Sequence, residues 1–175
     1  VIQTARLRLR RPRPADVAAV HAYRSRPDVA RFLSAGTWSR EKTADEWAHL
    51  ATAPFDGPGD ELVLAVELIG SGEVIGEVGL VWLAQGAGAE IGYVFHPDFG
   101  GRGLATEAVA AVLSAAREEW GFDRILARTD SANLPSRALC ERVGMTLVAT
   151  SVSTDGRGVE ESTYALSVPP VPASR

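Results

Sequence analysis

From Glu90 to Phe95 apolar and small residues alternate with period two, Ile91, Tyr93 and Phe95 on one face and Glu90, Gly92 and Val94 on the other. That period predicts a strand. Pro97 ends it, because proline has no N–H to donate and a fixed φ. The pattern then changes period. Leu104, Ala108, Val109, Val112, Leu113, Ala116 and Trp120 form one stripe of a helix. Between strand and helix stand three glycines in four residues, Gly100, Gly101 and Gly103.

Upstream, Leu7 and Leu9 alternate with Arg6, Arg8 and Arg10, predicting a half-buried strand over Thr4–Pro12. The five arginines between Arg6 and Arg13 are read as a solvated strand face and its turn rather than an anion-binding patch. Pro14 opens a helix to Ser25, and Pro27–Leu33 predicts a short second one. Ser39 is placed as the N-cap of a third, reaching Ala53 and burying Trp47 and Leu50. Two strands, Leu62–Leu68 and Val74–Leu83, join through Gly70-Ser71-Gly72 as a hairpin. A second glycine-rich turn, Ala84–Gly88, leads into the central strand. After the long helix come a strand at Arg124–Thr129 and a helix at Leu134–Val143 ended by Gly144. A final pair of strands, Met145–Ser153 and Val159–Ser167, closes the chain.

Residues 1–168 are read as one domain and 169–175 as a flexible proline-rich tail. A hydrophobic content of 46% and a charged content of 23% describe an ordinary globule. The net charge of −4 speaks against a general nucleic-acid binder, which must neutralise phosphates. The single cysteine, Cys140, cannot form an internal disulfide and fits a reducing compartment. No signal peptide or membrane-spanning run is visible, so a cytoplasmic location is expected, with neither membrane nor nucleic acid as partner. No Cys/His cluster supports a metal site.

Strand, glycine turn and helix together make a phosphate cradle. The first-turn N–H groups of the helix lack internal partners, and glycines let backbone close around an anion. No Gly-Lys-Ser/Thr follows Gly103, so this is not a Walker loop. Thr106 stands where a dinucleotide fingerprint needs its third glycine.

The run Gly100-Gly101-Arg102-Gly103-Leu104-Ala105 resembles the acetyl-CoA loop of the GNAT acyltransferase superfamily, Gln/Arg-x-x-Gly-x-Gly/Ala, with Gly100 departing at its first position. Glu90-Ile91-Gly92-Tyr93, the opening Arg-Leu-Arg-Leu-Arg and the order of elements are similar to the RimJ/RimL-type branch, which acetylates protein N-termini and related amines. The resemblance covers nearly the whole chain. It implies an α/β fold with a mixed central sheet of about seven strands and flanking helices, two of whose strands splay to admit the pantetheine arm. It implies acetyl-CoA as co-substrate, held by Tyr93, Val94, Phe95, Gly100, Gly101, Arg102, Gly103, Leu104, Ala105, Thr106, Asn133 and Ser136.

Moving an acetyl group from a thioester to an amine requires a base for the amine, donors for the carbonyl oxygen and a partner for the departing sulfur. Glu90 is the candidate base; the same residue could be a salt-bridged surface glutamate. Many superfamily members carry a Tyr where this chain has Cys140, while Asn133-Leu134-Pro135-Ser136 matches the branch's Asn-x-x-Ser. The resemblance therefore gives Ser136 to the departing sulfur and Asn133 to the pantetheine or diphosphate, although both also suit helix capping. Glu160 is the candidate for binding a cationic acceptor, with Glu161 its rival by a one-residue slip. Trp38 is a candidate wall of the acceptor site. The favoured acceptor is a protein N-terminal α-amine. The rivals are a small amine (antibiotic, polyamine or amino acid) and a non-catalytic CoA-binding sensor. A homodimer is left open.

Overall fold

The computed structural model describes residues 1–84 and 88–167. The expected tail, 169–175, and most of the expected turn at 84–88 lie outside the described residues. Among the described residues eight strands form one sheet: β1 (Ile2–Gln3), β2 (Leu7–Arg10), β3 (Glu61–Leu68), β4 (Val74–Trp82), β5 (Ala89–Phe95), β6 (Arg124–Asp130), β7 (Thr146–Val152) and β8 (Glu160–Ser167). Their spatial order is β1-β2-β3-β4-β5-β6-β8-β7. Five α-helices accompany them among the described residues: α1 (Val17–Arg24), α2 (Pro27–Ala30), α3 (Arg40–Thr52), α4 (Leu104–Glu118) and α5 (Leu134–Arg142).

The expected count of seven strands becomes eight because a two-residue strand, Ile2–Gln3, precedes the expected first strand, whose paired part is Leu7–Arg10. Thr4 closes a tight turn, its N–H donating to the Leu7 carbonyl at 2.9 Å and its Oγ1 accepting from Leu7 N at 3.0 Å. Ile2 then pairs antiparallel with Leu9. The predicted first helix likewise opens as a 3-10 turn, Pro14–Asp16, before α1. Ser39 caps α3 as expected, accepting from Lys42 N at 3.1 Å. The α4 helix stops at Glu118, so Trp120 lies past its end and packs edge-on against Phe55 at 5.2 Å.

The β3 strand is buried on both faces, and this explains why it is a nearly continuous apolar run. Leu62, Leu64 and Val66 point into a core shared with the α4 and α5 residues Val109, Val112, Leu113 and Leu139. Val63 and Ala65 point the other way, toward Val20 and Tyr23 of α1 and Trp47 and Leu50 of α3. Each fully buried Leu or Val side chain contributes about 1.5–3 kcal/mol relative to exposure.

The arginine face is not simply solvated. Arg10 is 4% exposed and its guanidinium forks onto Asp16, both contacts at 2.8 Å, while its Nε donates to Glu67 at 2.7 Å. Arg8 reaches Glu67 at 2.9 Å from a half-exposed position. Covering of the strand by α1 and α3 makes this pairing necessary, since a buried cation without a partner is strongly destabilising. Among the described residues no helix is long and apolar enough to cross a membrane.

Candidate active site

All neighbours in the sheet are antiparallel except β5 and β6, which run parallel and pair only through Ala89↔Ile125 and Glu90↔Leu126. Beyond Glu90 the two strands part. The segments that follow their carboxyl ends, the glycine loop after β5 and Asn133–Ser136 after β6, flank the opening, the usual place for a ligand in an open parallel pair. A cleft of about 470 Å³ occupies the gap, with Gly92, Tyr93 and Val94 on one wall and Ala127, Arg128 and Thr129 on the other. Asn133 and Ser136 of α5 complete that end.

The β4–β5 register sets which β5 backbone groups face the gap. His96 N donates to Ile75 O at 2.8 Å across the ladder. Alternation then turns the N–H groups of Val94 and Gly92 toward β4, and those of Phe95 and Tyr93 toward β6. With β6 diverged, the Tyr93 and Phe95 N–H groups face the cleft. Phe95 contributes only backbone there. Its ring packs in the core across from Gly76, where an added Cβ would stand 2.5 Å from the ring's Cδ1.

The loop after β5 is rich in unpartnered backbone donors. A 3-10 turn over Pro97–Phe99 leads into exposed Gly100, Gly101, Arg102 and Gly103. Gly101 and Gly103 hold φ of 71° and 72°, a region other residues enter at a cost. Gly103 occupies the N-cap of α4 and offers no side chain to it. None of the N–H groups from Gly101 to Thr106 has an acceptor among the described residues. Six consecutive unpartnered donors stand at the positive end of a fifteen-residue helix, an arrangement whose charge and geometry complement phosphate oxygens. The neighbouring Arg6 braces the loop, donating to the Arg102 carbonyl at 2.9 Å and pairing with Glu107 at 2.6 Å. Arg142 donates to Thr106 Oγ1 at 3.3 Å, joining the end of α5 to the start of α4.

Ser136 sits in the first turn of α5. Asn133 caps that helix, its Oδ1 accepting from Ser136 N at 3.3 Å. The Ser136 hydroxyl lies 2.9 Å from that of Tyr93, which lies 3.4 Å from the Cys140 sulfur. Cys140 is fully buried and does not line the cleft. Burial pushes both the Cys140 thiol and the Tyr93 phenol upward, so each stays neutral near pH 7.

Carboxylates gather at the wider end of the cleft. Glu90 lines it and accepts from Arg128 Nη1 at 2.7 Å. Burial raises the Glu90 carboxyl above the usual range, Arg128 pulls it partly back, and Glu161 adds to the rise. Glu77, a lone acid in an otherwise apolar strand, is 4% exposed and accepts from the Tyr23 hydroxyl at 2.6 Å and from Arg24. Glu161 lines the cleft, whereas Glu160 is exposed at the start of β8, where its carbonyl accepts from Ser131 N at 2.9 Å. Trp38 is buried and stands behind the cleft. The Arg24 guanidinium covers its ring at 4.2 Å, and Arg24 forms the wall. Glu61, Glu77, Asp130 and Arg157 also line the cleft and were not singled out in the sequence. An acid amid the apolar residues of β4 was the available signal for Glu77.

The sequence matches the acetyltransferase (GNAT) domain family over residues 6–146. It is 28% identical over 144 residues to the uncharacterized N-acetyltransferase YnaD of Bacillus subtilis (strain 168), covering 82% of this chain and 81% of the relative. The fold is similar to that of a GNAT-family acetyltransferase from Bacillus anthracis, with a TM-score of 0.84, 28% identity and 95% and 97% of the two chains covered. It is also similar, at a TM-score of 0.77, 17% identity and 94% and 96% coverage, to the ribosomal L7/L12 alpha-N-protein acetyltransferase RimL in complex with coenzyme A.

Proposed function

The chain belongs to the acetyltransferase (GNAT) domain family and is an acetyltransferase; within that activity, we propose that it transfers the acetyl group of acetyl-CoA to the α-amine of a protein or peptide N-terminus. The observation that carries this reading is the parting of β5 from β6, with six free N–H groups on the loop after β5 and carboxylates at the wider end of the gap. The loop suits the diphosphate of the donor, and the acid-lined end suits a cationic amine. The fold shared with RimL, an alpha-N-protein acetyltransferase, supports the choice of an N-terminal acceptor.

In this reading Gly101–Thr106 hold the diphosphate, and Asn133 and the β5 wall hold the arm that follows. Glu90 removes the proton of the incoming ammonium, directly or through one water. The Tyr93 and Phe95 N–H groups stabilise the carbonyl oxygen as it gains charge. Ser136 donates a hydrogen bond to the departing sulfur, and the positive end of α5 favours its negative charge.

A small amine is the second reading, favoured by one contact. Arg157 Nη1 donates to the Phe32 carbonyl at 3.4 Å, joining two walls of the acceptor end and narrowing it. Thiol release from acetyl-CoA, followed with a panel of acceptors, separates the readings. Peptides with free N-termini should be turned over with kcat/KM at least tenfold above those of polyamines, amino acids and aminoglycosides. Preference for small amines would establish the second reading. Thiol release no faster than hydrolysis with every acceptor would leave only binding of the donor.

A further inference from the structure

Ser136 has a fixed backbone and a hydroxyl that can rotate. Its N–H is held by Asn133, but its Oγ can occupy any of three staggered positions and, in a helix, can turn back onto a carbonyl of its own chain. One group from outside the helix meets it. Tyr93 projects from β5 and brings its hydroxyl to 2.9 Å from Ser136 Oγ, 3.2 Å from Ser136 O and 3.4 Å from Cys140 Sγ.

The count of protons limits how these four atoms can be arranged. The Ser136 carbonyl can only accept, and the phenol has one proton. If Tyr93 gives that proton to the carbonyl, the Tyr93 oxygen becomes an acceptor that draws the Ser136 proton away from the cleft. If Tyr93 gives it to Ser136 Oγ instead, the serine proton is released toward the cleft, and the Cys140 thiol can donate to the Tyr93 oxygen. Negative charge on a sulfur in the cleft favours the second arrangement.

We propose that Tyr93 is the positioning residue for Ser136: its hydroxyl holds the serine oxygen in place and, by donating to it, leaves the serine proton for the departing sulfur. Tyr93 supplies a hydrogen bond and not a proton, in keeping with a phenol that burial keeps neutral. As the C–N bond forms and the C–S bond breaks, the electron pair stays on sulfur, held by the Ser136 hydroxyl. The thiolate takes its proton from solvent on release. The nitrogen gives up two protons in becoming an amide, the first to Glu90 before attack and the second as the C–N bond forms, and both pass to solvent, so one proton is released per turnover once the thiolate has taken its own.

This inference rests on the assignment of Ser136 to the departing sulfur, and the experiment tests the two separately. The variants are Tyr93→Phe, which keeps the ring, Ser136→Ala, and the double variant. Steady-state kinetics with saturating acceptor, acetyl-CoA affinity and melting temperature are measured for each. Tyr93→Phe should lower kcat about tenfold with the KM for acetyl-CoA within twofold of wild type, and Ser136→Ala should do the same. The double variant should be no slower than Ser136→Ala alone, because the tyrosine acts through the serine. A slow Ser136→Ala with Tyr93→Phe at full kcat, or losses that multiply in the double variant, would overturn the role of Tyr93 alone. Full kcat in Ser136→Ala would overturn the serine assignment and this inference with it. If Tyr93→Phe melts far below wild type, 3-fluorotyrosine at position 93 replaces it. A changed kcat at constant KM then supports the proposal, and an unchanged kcat refutes it.

Discussion

Glu90 and Arg128 face each other across the two strands that part to make the cleft, Glu90 Oε2 accepting from Arg128 Nη1 at 2.7 Å. The pair lies where the β5–β6 ladder ends, at the last register position Glu90↔Leu126. It orients the carboxylate without neutralising the effect of burial, so the acid stays above its ordinary range. A base in that position is poised closer to neutral pH than a solvated glutamate.

Glu90→Gln should therefore retain acetyl-CoA affinity while turnover falls roughly 10²-fold at neutral pH. With Glu90 as the base, wild-type activity should rise with pH through the raised Glu90 pKa. In the glutamine variant that limb disappears, and the loss shrinks at high pH as free amine accumulates. A small loss that does not vary with pH would make the Glu90–Arg128 pair structural.

Gly103→Val tests the anion loop. Space is not the obstacle, since a Cβ there would meet only Arg6 Nη2 at 3.7 Å. The obstacle is a φ of 72°, which a β-branched residue leaves, turning the α4 donors away. Acetyl-CoA binding should weaken at least tenfold, about 1.4 kcal/mol, in a protein that still melts cooperatively. Calorimetric titration giving an unchanged Kd would remove the loop from the binding site.

The Asp16 carboxylate is a stability element. Burial alone would raise its pKa, but the Arg10 side chain, the Arg13 N–H and Trp47 all donate to it and hold it below the usual value. Its contribution is thus complete above the unfolded carboxylate pKa, ~3.9, and lost as pH falls through the lower folded value. Asp16→Asn leaves a buried arginine underpaired and should cost about 3–5 kcal/mol near pH 7. Urea denaturation from pH 7 to 3 should show wild type and variant converging toward the acid end. Parallel curves would refute the linkage.

Cys140 should resist thiol reagents. It is fully buried, and burial raises its pKa, so little thiolate is present and none of it is accessible. Modification by Ellman's reagent should follow the rate of opening and become fast only in denaturant. Stoichiometric reaction within seconds in native buffer would contradict the packing around α5.

Elements set by local pattern were legible in the chain: the period of β5, the stripe of α4 and the caps Ser39 and Asn133 depend on neighbours a few residues away. Features set by long-range pairing were less so. No local signal says that β5 and β6 part after two register positions, and the gap was known only through family resemblance. Alternation cannot distinguish Glu160 from Glu161 without the register of β8, and Glu161 is the one that lines the cleft. Arg10 reads as a surface residue until α1 and α3 cover its strand. Trp38 reads as a pocket wall, but Arg24 stacks over it. The contact between Tyr93 and Ser136 joins residues 43 positions apart and had no signature in the sequence.

The proposed function places the donor along β5, with its diphosphate on the loop that follows. Hydrogen–deuterium exchange with and without saturating acetyl-CoA tests it at the residues concerned. In the free protein the amides of Gly101–Thr106 have no acceptor and should exchange within seconds. With acetyl-CoA bound, those amides and those of Tyr93 and Phe95 should slow by tenfold or more, while β7 is unaffected. Saturation by acetyl-CoA with exchange at Gly101–Thr106 unchanged would contradict the account.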